Sequence, residues 1–374
     1  LKKLRYYLDQ LIAEIRYLPK NIGYLFTKKR KAVYIGCTGH SNLGDEGVFI
    51  AIQGLLKEKI YLYPISYVKP SSGKYLRSWL FKAPDLIILG GGTIIKKSKK
   101  ESYLKLLTEY HFKFPNAELV VFGSGVADPE LAHQIGFPSD AQDWKVVLDK
   151  CLFIGVRGEL SKIILRDSWA VKPEISIIHD PAIYFKRHNL KLKDKQKKIA
   201  VNFCNIIGRI YGLNQKHLES FAVELVSSLL SEGWKVFLYP TAKSDIPYMK
   251  NFLGSEIVSQ VRIYENYKNL EQSLSFMESI DVFVGQRLHS IIFAAITYTP
   301  FYAIEYESKT TDFLMSLGVE GVSKRTDQLE VDKVLKSINI LYSSLEAKQS
   351  ELFQLVGNAY TQQNSIAREF LKQF

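Results

Sequence analysis

Arg287 and His289 stand two residues apart in Val284-Gly285-Gln286-Arg287-Leu288-His289-Ser290, between an apolar run that ends at Val284 and another over residues 291–296. A guanidinium captures anions and an imidazole moves protons near neutral pH, so this junction of strand and helix has the parts of an acid–base site. A structural or solvated histidine is the alternative reading of His289. Arg157, in Gly155-Val156-Arg157-Gly158, repeats the placement earlier in the chain, with a salt bridge at the surface or between lobes as its alternative role.

Glycines gather at the same kind of junction. Gly36-Cys37-Thr38-Gly39-His40-Ser41-Asn42-Leu43-Gly44-Asp45-Glu46 follows a strand-like run at 32–35 and leads into a helical pattern. Such a turn offers backbone N–H groups and the positive end of a helix to an anion. Asp45 and Glu46 fall in the first helical turn, where acids also serve simply as caps. Gly90-Gly91-Gly92-Thr93 and Gly123-Ser124-Gly125 end two further apolar runs. Without a Cβ, a backbone admits a ligand closely.

For these junctions to converge they must be carried at one edge of parallel sheets. The sequence supplies that pattern: short branched runs at 32–35, 60–65, 86–89, 119–122, 153–156 and 176–178 alternate with helical stretches around 47–58, 102–111 and 160–165. Residues 186–198 carry seven Lys/Arg against one acid and lose the core periodicity, as a linker would. Alternation restarts with strands at 199–203, 235–239, 261–264, 281–284 and 301–305, and helices near 215–231, 270–279, 288–296 and 310–317. The expected fold class is α/β, two doubly wound Rossmann-like lobes with a helical C-terminal tail and a ligand cleft between the carboxyl edges of the sheets. The expected division is a basic amphipathic helix at 1–30, a first lobe at 31–185, a linker at 186–198, a second lobe at 199–327 and a tail at 328–374.

In this order, Gly39…Asn42-Leu43-Gly44-Asp45-Glu46, Gly90-Gly91-Gly92, Gly123-Ser124-Gly125, Val156-Arg157-Gly158-Glu159-Leu160-Ser161, Asp180-Pro181-Ala182 and Gln286-Arg287-Leu288-His289-Ser290, continuing to Pro300 and Tyr306…Lys309, make a set. Over about residues 32–317 it resembles the polysaccharide pyruvyl transferase family. The resemblance implies a GT-B-like fold and transfer of a pyruvyl group from phosphoenolpyruvate to a saccharide, usually as a cyclic ketal, in surface or exopolysaccharide biosynthesis. It makes His289, Asp45 and Arg287 the candidate catalytic residues. Arg157, Asn42, Gly44, Gly91, Gly92, Ser124, Glu305 and Lys309 become candidate substrate-binding residues. His289 would be a general acid or the proton donor to departing phosphate, and Asp45 a base on the sugar hydroxyl or a group that orients it. No metal and no cofactor beyond phosphoenolpyruvate as donor substrate is expected. The segment Val126-Ala127-Asp128-Pro129 departs from the family pattern, and Arg209 has no placed role.

Two other classes compete. A nucleotide-sugar glycosyltransferase would share the fold and would need a ribose-binding acid, for which Glu305 is the candidate. A non-catalytic saccharide-binding assembly protein would tolerate substitution of His289.

The charge is uneven. The 374 residues carry a net +12, and residues 1–31 hold nine Lys/Arg against two acids. Leu4, Leu8, Leu11, Ile15 and Leu18 recur at helical spacing before Pro19, so residues 2–18 read as a basic amphipathic helix. It either contacts an anionic membrane surface peripherally, where a lipid-linked acceptor would be found, or packs on the protein's own body or a second copy. Nucleic acid is not an expected partner, since no binding motif accompanies the charge. A hydrophobic fraction of 47% excludes disorder, and no apolar run is long enough to span a bilayer. Cys37, Cys151 and Cys204 form no Cys-x-x-Cys pair and are expected as free thiols. With no secretory h-region or Asn-x-Ser/Thr acceptor, the expected location is cytoplasmic, at the inner membrane face if the first helix binds there.

Overall fold

The computed structural model describes residues 22–37, 43–65, 83–96, 103–135, 141–192, 194–206 and 209–374. The helix expected at 2–18, and Asn42, lie outside the described residues.

The first sheet comprises β1 (Arg30–Ile35), β2 (Ile60–Ile65), β3 (Leu86–Gly90), β4 (Thr93–Ile95), β5 (Glu118–Val126), β6 (Cys151–Val156) and β7 (Ile175–Ile177). Its order is β2-β1-β3-β5-β6-β7, with β4 set against β5, and every pair is parallel. Both faces are covered, so the central strands are apolar throughout: Leu86, Ile87, Ile88 and Leu89 are all fully buried. The second sheet comprises β8 (Lys198–Asn202), β9 (Lys235–Leu238), β10 (Arg262–Ile263), β11 (Val282–Gly285), β12 (Phe301–Glu305) and β13 (Ser323–Arg325). It runs β10-β9-β8-β11-β12-β13, again parallel. Strand order reverses between β1 and β3 and between β8 and β11, and crevices open at the carboxyl ends of such pairs. Gly36 after β1, the Gly-Gly-Gly turn after β3 and the Arg-Leu-His segment after β11 sit at those two places.

The α/β two-lobe architecture and helical tail are those expected from sequence. Several helices and strands were not, the short helix Pro129–Gln134 among them. β4 and β13 have three residues each, too few to show a period. The helix Asp245–Gln260 is interrupted at Gly254 (φ 74°) and carries Pro247, so its apolar pattern is broken. The helix Ala141–Leu148 is a short one that buries only Trp144, Val147 and Leu148. The helix expected near 47–58 begins at Leu43, with Asp45 and Glu46 in its first turn as the sequence suggests and Gly44 beside them.

Two C-terminal helices bind the lobes together. Val331–Ser343 packs Val334, Ile338 and Leu341 into the second lobe's core. Leu345–Leu371 then crosses back to the first lobe. There the Phe370 ring lies 5.8 Å from Phe122 and 4.9 Å from Phe153, and the Gln363 amide donates to the carbonyls of Ile178 and Asp180, each at 3.0 Å. One apolar cluster consequently includes residues of both lobes, among them Ile52, Phe122, Phe283 and Phe293.

Candidate active site between the lobes

The helices Leu43–Leu56 and Leu288–Ile296 meet at their N-termini. Leu43 donates its N–H to the carbonyl of Thr241 in the second lobe at 3.2 Å. A Cβ on Gly44 would lie 2.1 Å from Cγ and 2.2 Å from Nδ1 of His289. Two helix N-termini, one per lobe, therefore lie side by side, and a positive helix end suits an anion. His289 is buried, and its Nε2 has no hydrogen-bond partner. Burial lowers its pKa to about 4; the Asp45 carboxylate works against this, and the positive charges of Arg157, Lys309 and Arg287 add to it. The ring is neutral near pH 7.

Arg287 caps its helix with extended backbone, and its N–H donates to Asn202 Oδ1 at 3.0 Å. Its guanidinium grips the fully buried Asp245 through Nε (2.9 Å to each oxygen) and Nη2 (2.6 Å), and Asp245 Oδ2 also accepts from the N–H groups of Thr241 and Ala242. Burial opposes the charge on Arg287, but its acidic neighbours Cys204, Asp245 and Tyr306 hold its pKa above the ordinary arginine value. Asn202 also donates to the Tyr239 carbonyl, so one amide ties together the carboxyl ends of β8, β9 and β11.

Arg157 is 1% exposed and lies where the lobes join. Nη2 donates to Thr93 Oγ1 at 2.6 Å, while Asp180 of the first lobe and Asp312 of the second stand 3.8 Å from Nη1 and Nε. The salt bridge between lobes that was its alternative reading is thus present. Yet 3.8 Å exceeds hydrogen-bond length, and both Arg157 Nε and Asp180 Oδ2 are buried without a partner. Burial raises the Asp180 pKa against the opposing pull of Arg157.

Lys309 points over the Tyr306 ring (4.4 Å) and pairs with Glu307 at 3.5 Å. Burial disfavours its charge, but Glu307 and Tyr306 outweigh that and raise its pKa. Lys96, absent from the sequence-based candidates, senses Glu307, Lys309, Arg209 and Cys37 electrostatically, and burial lowers its pKa. Cys37 Sγ lies 3.1 Å from Tyr103 Oη, and burial with the nearby Asp45 pushes the thiol up to about 11.

Several candidates have structural partners of their own. Ser124 is fully buried and donates to the Leu89 carbonyl at 3.3 Å. Glu305 accepts from the hydroxyls of Thr311 and Ser323. Gly91 has φ 73°, and a Cβ there would meet Val48 at 2.4 Å, so protein atoms already occupy the space it frees; Gly92, also at φ 73°, has nothing nearer than 3.4 Å. Gly125 is flat against Arg157, whose guanidinium atoms lie 2.7–2.8 Å from its Cβ position. The carboxylates Asp245 and Asp312 were missed because each serves an arginine far away in sequence. Among the described residues no group of three or more His, Cys, Asp or Glu could hold a metal ion, and no helix is long and apolar enough to cross a membrane.

The model of one family, described as polysaccharide pyruvyl transferase, matches residues 42–308, a span that contains Asp45, Arg157, Arg287 and His289, while Cys37, Lys309 and Asp312 lie just outside it. The chain belongs to the polysaccharide pyruvyl transferase family. Solved structures similar to this family member include UDP-GlcNAc 2-epimerase from Neisseria meningitidis bound to UDP-GlcNAc (12% identity, TM-score 0.57, covering 92% of this chain and 100% of that one). UDP-GlcNAc 2-epimerase from Methanocaldococcus jannaschii is 11% identical with TM-score 0.56, covering 92% and 100%. The glycotransferase of kitacinnamycin is 13% identical with TM-score 0.53, covering 93% and 100%. At such identities the likeness is one of fold, the GT-B arrangement of two lobes.

Proposed function

We propose that this transferase moves a pyruvyl group from phosphoenolpyruvate to a saccharide, closing a cyclic ketal on two hydroxyls. The observation that carries the reading is a neutral, buried His289 with an unpartnered Nε2, set between two helix N-termini and under the influence of Arg157, Lys309 and Arg287. Such a place receives a small polyanion that brings its own negative charge. An anion beside His289 raises the affinity of the ring for a proton, so the donor itself would arm the general acid.

The chemistry balances on the two acceptor hydroxyls. One proton goes to the methylene carbon of the donor, making C2 electrophilic; the first sugar oxygen bonds to C2. The C2–O bond to phosphate then breaks, the second sugar oxygen takes its place, and the other hydroxyl proton leaves with inorganic phosphate. In this scheme His289 delivers a proton to the methylene or to the departing phosphate, and Asp45, in the first turn of its helix, draws the proton from the hydroxyl. Arg157, Arg287, Lys309 and the turn at Gly92 hold the donor, with Lys96 added at the same edge. The acceptor would belong to a surface polysaccharide, lipid-linked if residues 2–18 bind the membrane.

The nucleotide-sugar reading is the weaker one at its candidate ribose ligand, because each oxygen of the Glu305 carboxylate already accepts a hydroxyl, from Thr311 and Ser323. The deciding experiment incubates the full chain with phosphoenolpyruvate and candidate glycans. Phosphate release that requires both, with a glycan heavier by a pyruvate ketal, is the expected result. Release of a nucleoside diphosphate from a sugar donor in its place would sink the proposal.

A further inference from the structure

The helix Glu159–Ile163 has no side-chain cap of its own, since its N-cap is Gly158. Asp312, from the second lobe, fills that position. Its Oδ1 accepts the Ser161 N–H at 3.2 Å and its Oδ2 accepts the Ser161 hydroxyl at 2.6 Å, across a sequence separation of 151 residues. Ser161 Oγ in turn accepts the Val126 N–H at 2.9 Å. Ser161 is fully buried and Asp312 is 2% exposed. A Cβ at Gly158 would stand 2.1 Å from Asp312 Oδ1, so the glycine is what lets the foreign carboxylate in.

The same Asp312 Oδ2 faces Arg157 Nε at 3.8 Å. Arg157 is thereby flanked by two carboxylates with different owners. Asp180 is held within the first lobe, where its Oδ1 accepts the Ala182 N–H at 3.0 Å. Asp312 arrives only when the lobes are together. Neither carboxylate takes a hydrogen bond from the guanidinium, so both orient it by charge and leave Nε–H unspent.

We propose that Asp312 is the positioning residue for Arg157, lent by the second lobe: docking on Ser161 places its carboxylate so that the guanidinium is aligned for the donor anion only in the closed molecule. This rests on the donor reading above, and the test separates the two.

The test compares the full-length wild type with Asp312→Asn, Arg157→Lys and the double variant. Without ligand, the Arg157 Nε–H resonance, assigned by its loss in Arg157→Lys, should shift and exchange faster with water in Asp312→Asn. With phosphoenolpyruvate as titrant, Asp312→Asn should weaken binding roughly tenfold, and should add less than about twofold in the Arg157→Lys background, because the two side chains act through one another. An unmoved Nε–H resonance, or a binding loss undiminished in the double variant, overturns the proposal even if Asp312→Asn lowers the melting temperature. Absence of phosphoenolpyruvate binding to the wild type overturns the donor reading; the resonance measurement then still decides whether Asp312 sets Arg157.

Discussion

Gly44 and His289 belong to different lobes, yet a single added carbon on Gly44 would fall 2.1 Å from the imidazole. The lobes meet through a glycine and a histidine in van der Waals contact, and the position of the histidine is set by that contact.

Gly44→Ala should therefore displace His289 or part the lobes. The expected loss of turnover is on the order of 10²-fold, the size that follows a misplacement of about 1 Å at a reacting group. Gly47→Ala, one turn further along the same helix, is the control: its Cβ would meet only Leu270 and Phe185, each at 3.8 Å. It should keep activity and gain about 0.5–1 kcal/mol in urea unfolding, as alanine is the better helix former. Equal activity in the two variants would show that the contact does not set His289.

His289 gives the protein an acid-labile component of stability. Its folded pKa is depressed to about 4, against about 6.5 when unfolded. Between those values the unfolded chain binds a proton that the folded one refuses, so the contribution is present above pH 6.5 and is lost as pH falls toward 4. The shift corresponds to about 3 kcal/mol. His179 is shifted the same way by burial, so the readout is the difference between wild type and His289→Gln in thermal melts across that range. Parallel melting curves would remove His289 as the source.

Donor binding should take up protons. If phosphoenolpyruvate raises the His289 pKa on arrival, calorimetry near pH 6 in buffers of different ionisation enthalpy will show net proton uptake, absent in His289→Gln. His289→Ala should also lower turnover by roughly 10²–10⁴-fold. Full turnover in that variant would remove His289 from the mechanism.

Removing the Arg287 side chain strands Asp245, a fully buried carboxylate. Arg287→Ala is expected to cost roughly 3–5 kcal/mol, and Asp245→Asn in the same chain to restore a large part of it. Urea unfolding of the two variants checks this; a loss under about 1 kcal/mol for Arg287→Ala would mean that the two backbone N–H groups alone satisfy the acid.

The architecture was legible because β strands covered on both faces must be apolar, and the glycines and the Arg-Leu-His segment stand at their ends. Partners were not. Asp245 lies 42 residues from Arg287, and Asp312 lies 151 residues from Ser161; nothing local marks either acid as anything but a solvated charge. The glycines were legible as necessary but not for what. Gly125 makes room for Arg157 and Gly91 for Val48, both atoms of the protein itself. The basic helix expected at 2–18 lies outside the described residues, so the large positive charge of the N-terminal segment still rests on sequence alone.

Phe370 completes a face of the first lobe, against Phe122 and Phe153. A ribosome makes those two residues first, then the whole second lobe, and only afterwards Phe370. At about 5–20 residues per second the interval from Phe122 to Phe370 is roughly 12–50 s. For that time the nascent first lobe keeps an aromatic surface open, which a chaperone would be needed to shield. It follows that the first lobe expressed by itself should be prone to aggregation, and that the two lobes cannot be traded between relatives as independent modules unless the last helix travels with the first.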